Sequence, residues 1–238
     1  MTTISKTLSR LTWIMAGALI LVSCSKNNDI VTPGTDEKVS ADLPGVSVII
    51  PDGSTVGITG PNVTSGTINR SGALYTVANF RQAYTSGPGQ PPDGNFYWRF
   101  TVNEAGTPAN FQIKFTGIAT GDITSNDSIR FIDKSFASVV AADWATANNP
   151  GASPAGSNVI GMNSVVGTGV PPAVIAYANG AGWYTYLWSA GHTVIPVAGR
   201  TLLWKSGANL FKFEITSIYQ NGVTGGAFPY YNFKYQQL

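Results

Sequence analysis

Met162 and His192 are the residues of this sequence whose types and spacing favour binding to a metal-containing ligand. The other two methionines lie in an apolar N-terminal segment, and His192 is the single histidine of the chain. A thioether sulfur and an imidazole nitrogen can ligate the iron of a porphyrin from its two faces. His192 follows Gly191 and the aromatic run at residues 183–188, whose rings suit a flat apolar ligand. Rarity also fits a turn histidine and a methionine that fills a gap in the core.

The sequence offers few residues for other catalytic chemistry. The single cysteine, Cys24, excludes an internal disulfide and a zinc site built on several thiolates. One histidine leaves only a lone serine with His192 as a nucleophile and base. Asp122, Asp127 and Asp133 are the candidate acids of an enzyme, but their positions are typical of solvated turn residues. We therefore expect this protein not to be an enzyme.

The N-terminus has the pattern of a bacterial lipoprotein signal. Lys6 and Arg10 precede an apolar run at residues 11–22, which is too short to span a bilayer as a mature helix. The run ends in the sequence Leu-Val-Ser-Cys at residues 21–24, the lipobox in which the cysteine receives the lipid. We predict a signal peptide at residues 1–23 and a polar tether from lipidated Cys24 to residue 45. The expected location is the outer membrane, on the cell surface, with the lipid as the membrane anchor.

The charge balance excludes a nucleic-acid partner. Lys and Arg number 14 and Asp and Glu 12, and removal of Lys6 and Arg10 with the signal peptide leaves 12 of each. Binding to phosphates needs a positive field that such a chain does not have. Charged residues make up only 11% of the sequence, against about 25% in an average protein.

The body of the chain, residues 46–238, is predicted to form one all-β domain of antiparallel sheets with few short helices. Aromatic and aliphatic residues alternate with polar ones in five segments, which is the period of a half-buried strand. These segments are residues 96–102, 111–115, 184–188, 211–215 and 231–235. A short helix is predicted within residues 133–147, with Asp133 as its N-cap, and residues 153–172 are predicted to form a long irregular loop that contains Met162.

The C-terminal half resembles the HmuY family, the haem-binding surface lipoproteins of Bacteroidota. The resemblance rests on Trp183, Tyr184 and Tyr186, on the turn from His192 to Pro196, and on two aromatic strands. Those strands are Phe-Lys-Phe-Glu-Ile at residues 211–215 and Tyr-Asn-Phe-Lys-Tyr at residues 231–235. The segments NFQIKFTG and DKSFASVVAADW add to it, so that it covers about residues 110–238.

The resemblance implies an all-β fold that holds haem in a cleft between two side chains, and a role in iron acquisition. The founding member uses two histidines and relatives use two methionines, so this sequence departs from both. His192 and Met162 are the implied ligands of the haem iron. The implied partners are haem or a haem-carrying protein, and an outer-membrane receptor that takes the haem for uptake. The alternative is a haem-free binding or adhesion module of the same fold, with a glycan or a protein held on aromatic residues such as Tyr184, Tyr186, Trp188 and Trp204.

Overall fold

The computed structural model describes residues 47–84, 94–117 and 121–238. The predicted signal peptide, the lipidated Cys24 and the tether to residue 45 lie outside the described residues. Within the described residues, no helix combines the length and the apolar character that crossing a membrane requires.

The described residues form fifteen strands. In chain order they are β1 (Thr55–Gly57), β2 (Val63–Ser71), β3 (Leu74–Gln82), β4 (Phe96–Arg99), β5 (Glu104–Ala105), β6 (Ile113–Thr116), β7 (Asp122–Thr124), β8 (Ser128–Ile132), β9 (Val159–Ile160), β10 (Met162–Val166), β11 (Tyr184–Leu187), β12 (Thr193–Pro196), β13 (Thr201–Ser206), β14 (Asn209–Ser217) and β15 (Tyr231–Gln237). The prediction of a mostly β fold is confirmed, and each of the five alternating segments contains a strand.

The strands form three sheets. A seven-stranded sheet has the order β1-β2-β3-β15-β14-β13-β8, a five-stranded sheet β5-β4-β6-β7-β9 and a three-stranded sheet β10-β11-β12. All pairs are antiparallel except β10 with β11, which is parallel. The prediction of antiparallel sheets is therefore correct but for this one pair.

Aromatic side chains fill the space between the two larger sheets. In β15, Tyr231, Phe233 and Tyr235 are buried, while the residues between them point to the other face. Phe115 of the five-stranded sheet stacks on Tyr231 with 3.9 Å between the ring centroids, and Trp98 meets Phe233 edge-on at 5.3 Å. Side chains of the three-stranded sheet join the same hydrophobic core. The period-two pattern thus reports the inward faces of the strands directly.

The helix predicted within residues 133–147 is wrong. The segment forms two 3-10 turns, Phe136–Ser138 and Ala141–Ala145, separated by Val139 and Val140 in extended conformation. Branching at Cβ makes consecutive valines poor helix formers, and the burial of Val139 against the seven-stranded sheet favours the extended form. The one α-helix of the described residues is α1 (Pro172–Ile175).

The irregular loop predicted at residues 153–172 is also wrong in part. It contains β9, which joins the five-stranded sheet, and β10, which joins the three-stranded sheet. Met162 is therefore the first residue of a strand, and it is paired with Tyr184. A parallel strand has no hairpin partner next to it in sequence, so no local signal marked it.

Candidate functional site

Met162 lies inside the hydrophobic core. Its side chain is only 2% exposed, and it belongs to the same buried cluster as its strand partner Tyr184, which is fully buried. Burial on this scale contributes about 1.5–3 kcal/mol to folding for a methionine side chain. Met162 is thus placed as a packing residue at the buried end of the three-stranded sheet.

His192 lies at the opposite, exposed end of that sheet. It precedes Thr193, the partner of Leu187, in the turn that joins β11 to β12. Its backbone is left-handed, with φ of +57°, as is that of Gly191 at +65°. A non-glycine residue in this region costs about 1–2 kcal/mol. Glycine would avoid that cost, so what histidine adds at this position is its imidazole.

The structure does not bring Met162 and His192 together. Met162 begins β10 on one side of β11, and His192 directly precedes β12 on the other side. His192 is displaced about four residues along β11 from the level of Met162. With about 3.3 Å per residue and 4.8 Å between strands, their Cα atoms are about 16 Å apart. Tyr184 and Tyr186 occupy the core-facing side of β11 between them. A porphyrin with both as axial ligands would have to displace these packed rings.

The exposed end of the sheet carries a cluster of three rings, which we call the hairpin tip: Tyr186, Trp188 and His192. The Trp188 ring meets His192 edge-on at 4.7 Å and Tyr186 edge-on at 6.1 Å between centroids. Tyr186 Oη and His192 Nδ1 lie 3.1 Å apart, within hydrogen-bonding distance. Tyr186 and Trp188 are half-buried and His192 is exposed. The cluster is therefore ordered by mutual contacts and still open to solvent.

Two of the aromatic residues predicted to be exposed are not available to a ligand. Tyr184 and Trp204 are buried in the core at 0% and 1% exposure. Burial, helped by the charge of Asp122, raises the pKa of Tyr184 well above its ordinary value. Burial likewise raises the pKa of Tyr186. Of the four, only the half-buried Tyr186 and Trp188 remain as aromatic candidates for ligand contact.

A second chain segment holds the hairpin tip in place. The backbone N–H of Trp188 donates to the Val166 carbonyl at 2.8 Å, and the backbone N–H of Thr168 donates to Ser189 Oγ at 2.8 Å. Between them, Gly167 has φ of +149°, and a Cβ there would lie 2.6 Å from Ser189 Oγ and 3.0 Å from Trp188 Cβ. Glycine is needed because the end of β10 passes directly against the turn.

Arg200 attaches the sheet to the rest of the molecule at its buried end. Its guanidinium donates to Asp133 on one side at 2.7 and 3.1 Å. On the other side it donates to Asn163 Oδ1 at 2.8 Å and to the carbonyls of Gly180 and Gly182 at 3.2 and 2.5 Å. One planar fork thus joins the connection between β12 and β13 to both neighbouring chain segments. Asp133 is a partner of this arginine, and the structure does not place it as the predicted N-cap.

The three-stranded sheet has no formal charge of its own. Residues 144–199 contain no Asp, Glu, Lys or Arg, in a chain whose charged fraction is 11%. Every strand of this sheet falls in that range, and its outward face carries exposed Val166 and Ile195 beside hydroxyl side chains such as Thr185. This signal was readable in the sequence, and it marks the surface around the hairpin tip as neutral.

The remaining candidate acids do not build a metal site. The described residues contain no group of three His, Cys, Asp or Glu side chains placed to hold a metal ion. Asp122 is buried at the start of β7 beside Tyr184, and Asp127 lies in the turn before β8. Of the two predicted haem ligands, only His192 is exposed, and its Nδ1 faces Tyr186 Oη, which leaves Nε2 as the ring nitrogen that could bind iron.

Comparisons with known proteins give no relative of this chain. No family model matches it, and neither the curated proteins nor the solved structures contain a match. The resemblance to the HmuY family therefore stays a prediction from the sequence.

Proposed function

We propose that this protein is a binding module that holds a neutral sugar ring at the hairpin tip. The observation that carries the proposal is the open cluster of Tyr186, Trp188 and His192 on a sheet without formal charges. An aromatic face stacks on the C–H face of a sugar ring, and the surrounding hydroxyl groups can bond the ring's own hydroxyls.

The absence of charged residues around the hairpin tip favours a neutral ligand. A neutral ligand loses nothing on a surface without ion-pair partners, whereas an anionic one leaves its charge uncompensated as it is desolvated. Ser189 and Thr168 supply hydroxyl groups at the edge of the cluster, and both residues are exposed. The tip therefore favours a neutral glycan over an acidic one.

Surface display is the second part of the proposal. Cys24 in the lipobox would carry the lipid anchor, and the tether to residue 45 would hold the β domain away from the outer membrane. Mass spectrometry of the mature protein tests this part alone. We expect an acylated Cys24 as the first residue, and a mature chain that starts elsewhere with a free amine contradicts it.

A glycan array tests the binding function. We expect the purified protein to bind neutral glycans through the hairpin tip. Trp188→Ala should weaken that binding about tenfold or more, as the loss of a central aromatic contact does. Trp144→Ala, which removes a half-buried indole outside the three-stranded sheet, is the matched control and should bind as the wild type does. An array on which no neutral glycan is bound contradicts the proposal.

Haem is the second candidate, and the His192–Tyr186 contact is the observation that favours it. A ligating histidine is commonly held through its other ring nitrogen, which is how Tyr186 Oη contacts His192 Nδ1. Haem would be the cargo of such a site, passed on to an outer-membrane receptor for uptake. The rings of Tyr186 and Trp188 would contact the porphyrin.

A hemin titration separates the two candidates. If His192 binds the iron alone, a Soret band appears with wild type and is lost in His192→Asn, which tolerates the left-handed backbone. Met162→Leu leaves that band unchanged, because the methionine stays in the core. Loss of the band in Met162→Leu, with the fold intact, would restore Met162 as a ligand. No Soret band with wild type removes the haem candidate.

A further inference from the structure

A second concave surface lies on the outer face of the seven-stranded sheet, outside the three-stranded sheet. It has a volume of about 370 Å³, within the range of small-ligand pockets. Ala142 and Trp144 of the second 3-10 turn form one wall, and Lys205, Ala208 and Leu210 around the β13–β14 turn form the other. We call this depression the Trp144 pocket.

Two cations flank the indole of Trp144. The Arg130 guanidinium lies 4.5 Å from the ring centroid, and Lys205 Nζ lies 5.5 Å from it. Both side chains rise from the same face of the sheet, because Arg130 pairs with Leu203 and Lys205 follows two residues later. The Arg130 guanidinium also donates to the Trp144 carbonyl at 2.7 Å, which fixes the turn on the sheet.

Neither cation lies beside an acidic side chain of the described residues. Within those residues, the ion pairs are those of Arg99, Lys134, Arg200 and Lys234 with acidic partners. The pocket thus combines an indole, walls of small and aliphatic residues that include Leu238, and two cations that the acidic side chains of the described residues do not pair with.

We propose that the Trp144 pocket binds a small carboxylate-bearing ring, of which a sugar acid is the expected form. The Lys205 ammonium would meet the carboxylate at the edge of the pocket, while the half-buried Trp144 indole would contact the ring. The alanine and leucine walls admit the ring's C–H face without desolvating further polar side chains. This site is independent of the hairpin tip, because it uses another sheet and takes an anionic ligand where the tip takes a neutral one.

Glucuronate and glucose form a matched pair of probes, since they differ in a carboxylate at one carbon. The readout is the indole N–H resonance of Trp144 in the purified protein, assigned with Trp144→Phe. We expect glucuronate to shift this resonance to saturation and to bind at least about tenfold more tightly than glucose or acetate, as one charge-assisted hydrogen bond allows.

Two variants decide whether Lys205 is responsible. Lys205→Met should weaken glucuronate about tenfold, whereas Lys114→Met, which removes the same charge on the five-stranded sheet, should leave it unchanged. Ala208→Leu should also weaken it by filling the pocket without a change of charge. Equal binding of glucose, equal binding of acetate, no shift with glucuronate, or an equal effect of both lysine variants overturns the proposal.

Discussion

The hairpin tip and the outer face of the seven-stranded sheet use aromatic side chains in opposite ways. At the tip, the Trp188 ring contacts the rings of Tyr186 and His192, within a stretch of sequence that has no charged residue. On the outer face, two aromatic side chains lie against cations. Trp144 lies on Arg130 and Lys205, and Phe136 lies on Lys212 and Lys234 at 4.7 and 4.9 Å from the ring centroid.

Electrostatic contacts therefore stabilise the outer face and not the hairpin tip. Cation–π contacts on the outer face contribute about 0.5–2 kcal/mol each, and they hold the two 3-10 turns on the sheet. The tip has no such contacts and depends on ring packing and hydroxyl groups. Salt should therefore weaken ligand binding in the Trp144 pocket and leave binding at the tip nearly unchanged.

Substitution of Arg200 is expected to have the largest effect, and to destabilise the three-stranded sheet more than the seven-stranded sheet. Arg200→Met leaves Asn163 Oδ1 and the carbonyls of Gly180 and Gly182 without their shared donor. We expect the free energy of unfolding in urea to fall by about 3 kcal/mol, because each lost charge-assisted bond costs about 1.5–3 kcal/mol before relaxation.

Hydrogen exchange shows whether Arg200 stabilises the three-stranded sheet in particular or the whole domain. Hydrogen exchange should quicken in β10 to β12 more than in the seven-stranded sheet. Arg200→Lys keeps the charge but not the fork, so it should recover only part of the stability. A uniform change of exchange over both sheets would show that Arg200 does not serve the tip region in particular.

Lys212 tests the outer face in the same way. Its side chain is 4% exposed, and its ammonium donates to the carbonyls of Phe136 and Val139 at 2.9 and 3.0 Å. Burial lowers the pKa of this lysine. Lys212→Met keeps the apolar stem but removes the donor of both carbonyls, and only the Phe136 carbonyl keeps another bond, from the Val139 backbone N–H. We therefore expect a loss of about 2 kcal/mol in the free energy of unfolding.

Lys234 is the matched control for Lys212. It lies on the same Phe136 ring, pairs with Glu214 at 3.4 Å and is 31% exposed. An exposed pair of this kind contributes about 0–1 kcal/mol. Equal losses for Lys212→Met and Lys234→Met would mean that the buried carbonyl contacts do not hold the 3-10 turns.

Gly167 tests the tip alone. Gly167→Ala places a methyl group against Ser189 and Trp188 and forces a left-handed alanine, so we expect a loss of about 1–2 kcal/mol. Gly169→Ala shares the backbone strain at φ of +68° but has no atom within 4 Å of its Cβ. Only Gly167→Ala should also weaken binding at the tip. Equal effects on binding would mean that the contact with Trp188 does not position the ring.

Alkaline pH is expected to affect both regions together. Burial raises the pKa of Tyr235 well above its usual 10.0, as it does for Tyr184. Both ionise more readily in the unfolded chain, so the stability that they contribute is complete below about pH 10 and is lost as the pH rises further. Tyr235→Phe should reduce the fall in unfolding free energy between pH 8 and pH 11. The same slope in wild type and variant would contradict this assignment.

The sequence predicts the strands well and the site poorly, for physical reasons. Alternation in β14 and β15 reports which side chains face the core, so a local pattern carries the answer. Residues 133–147 instead cover a sheet whose strands come from distant parts of the chain, and their extended Val139 depends on that sheet. Met162 and His192 are rare residue types, but rarity does not determine position: one is in the core and the other is at the tip. The uncharged stretch at residues 144–199 was the more informative signal.

The location of a bound neutral glycan tests most directly whether the hairpin tip is the binding site. The measurement is a titration of the purified protein with the neutral glycan that binds best on the array, followed through the tryptophan indole N–H resonances. We expect a saturable shift of the Trp188 resonance, lost in Trp188→Phe, with the Trp144 resonance unchanged. A shift of Trp144 with Trp188 unmoved would contradict it, because the ligand would then occupy the cationic face and not the hairpin tip.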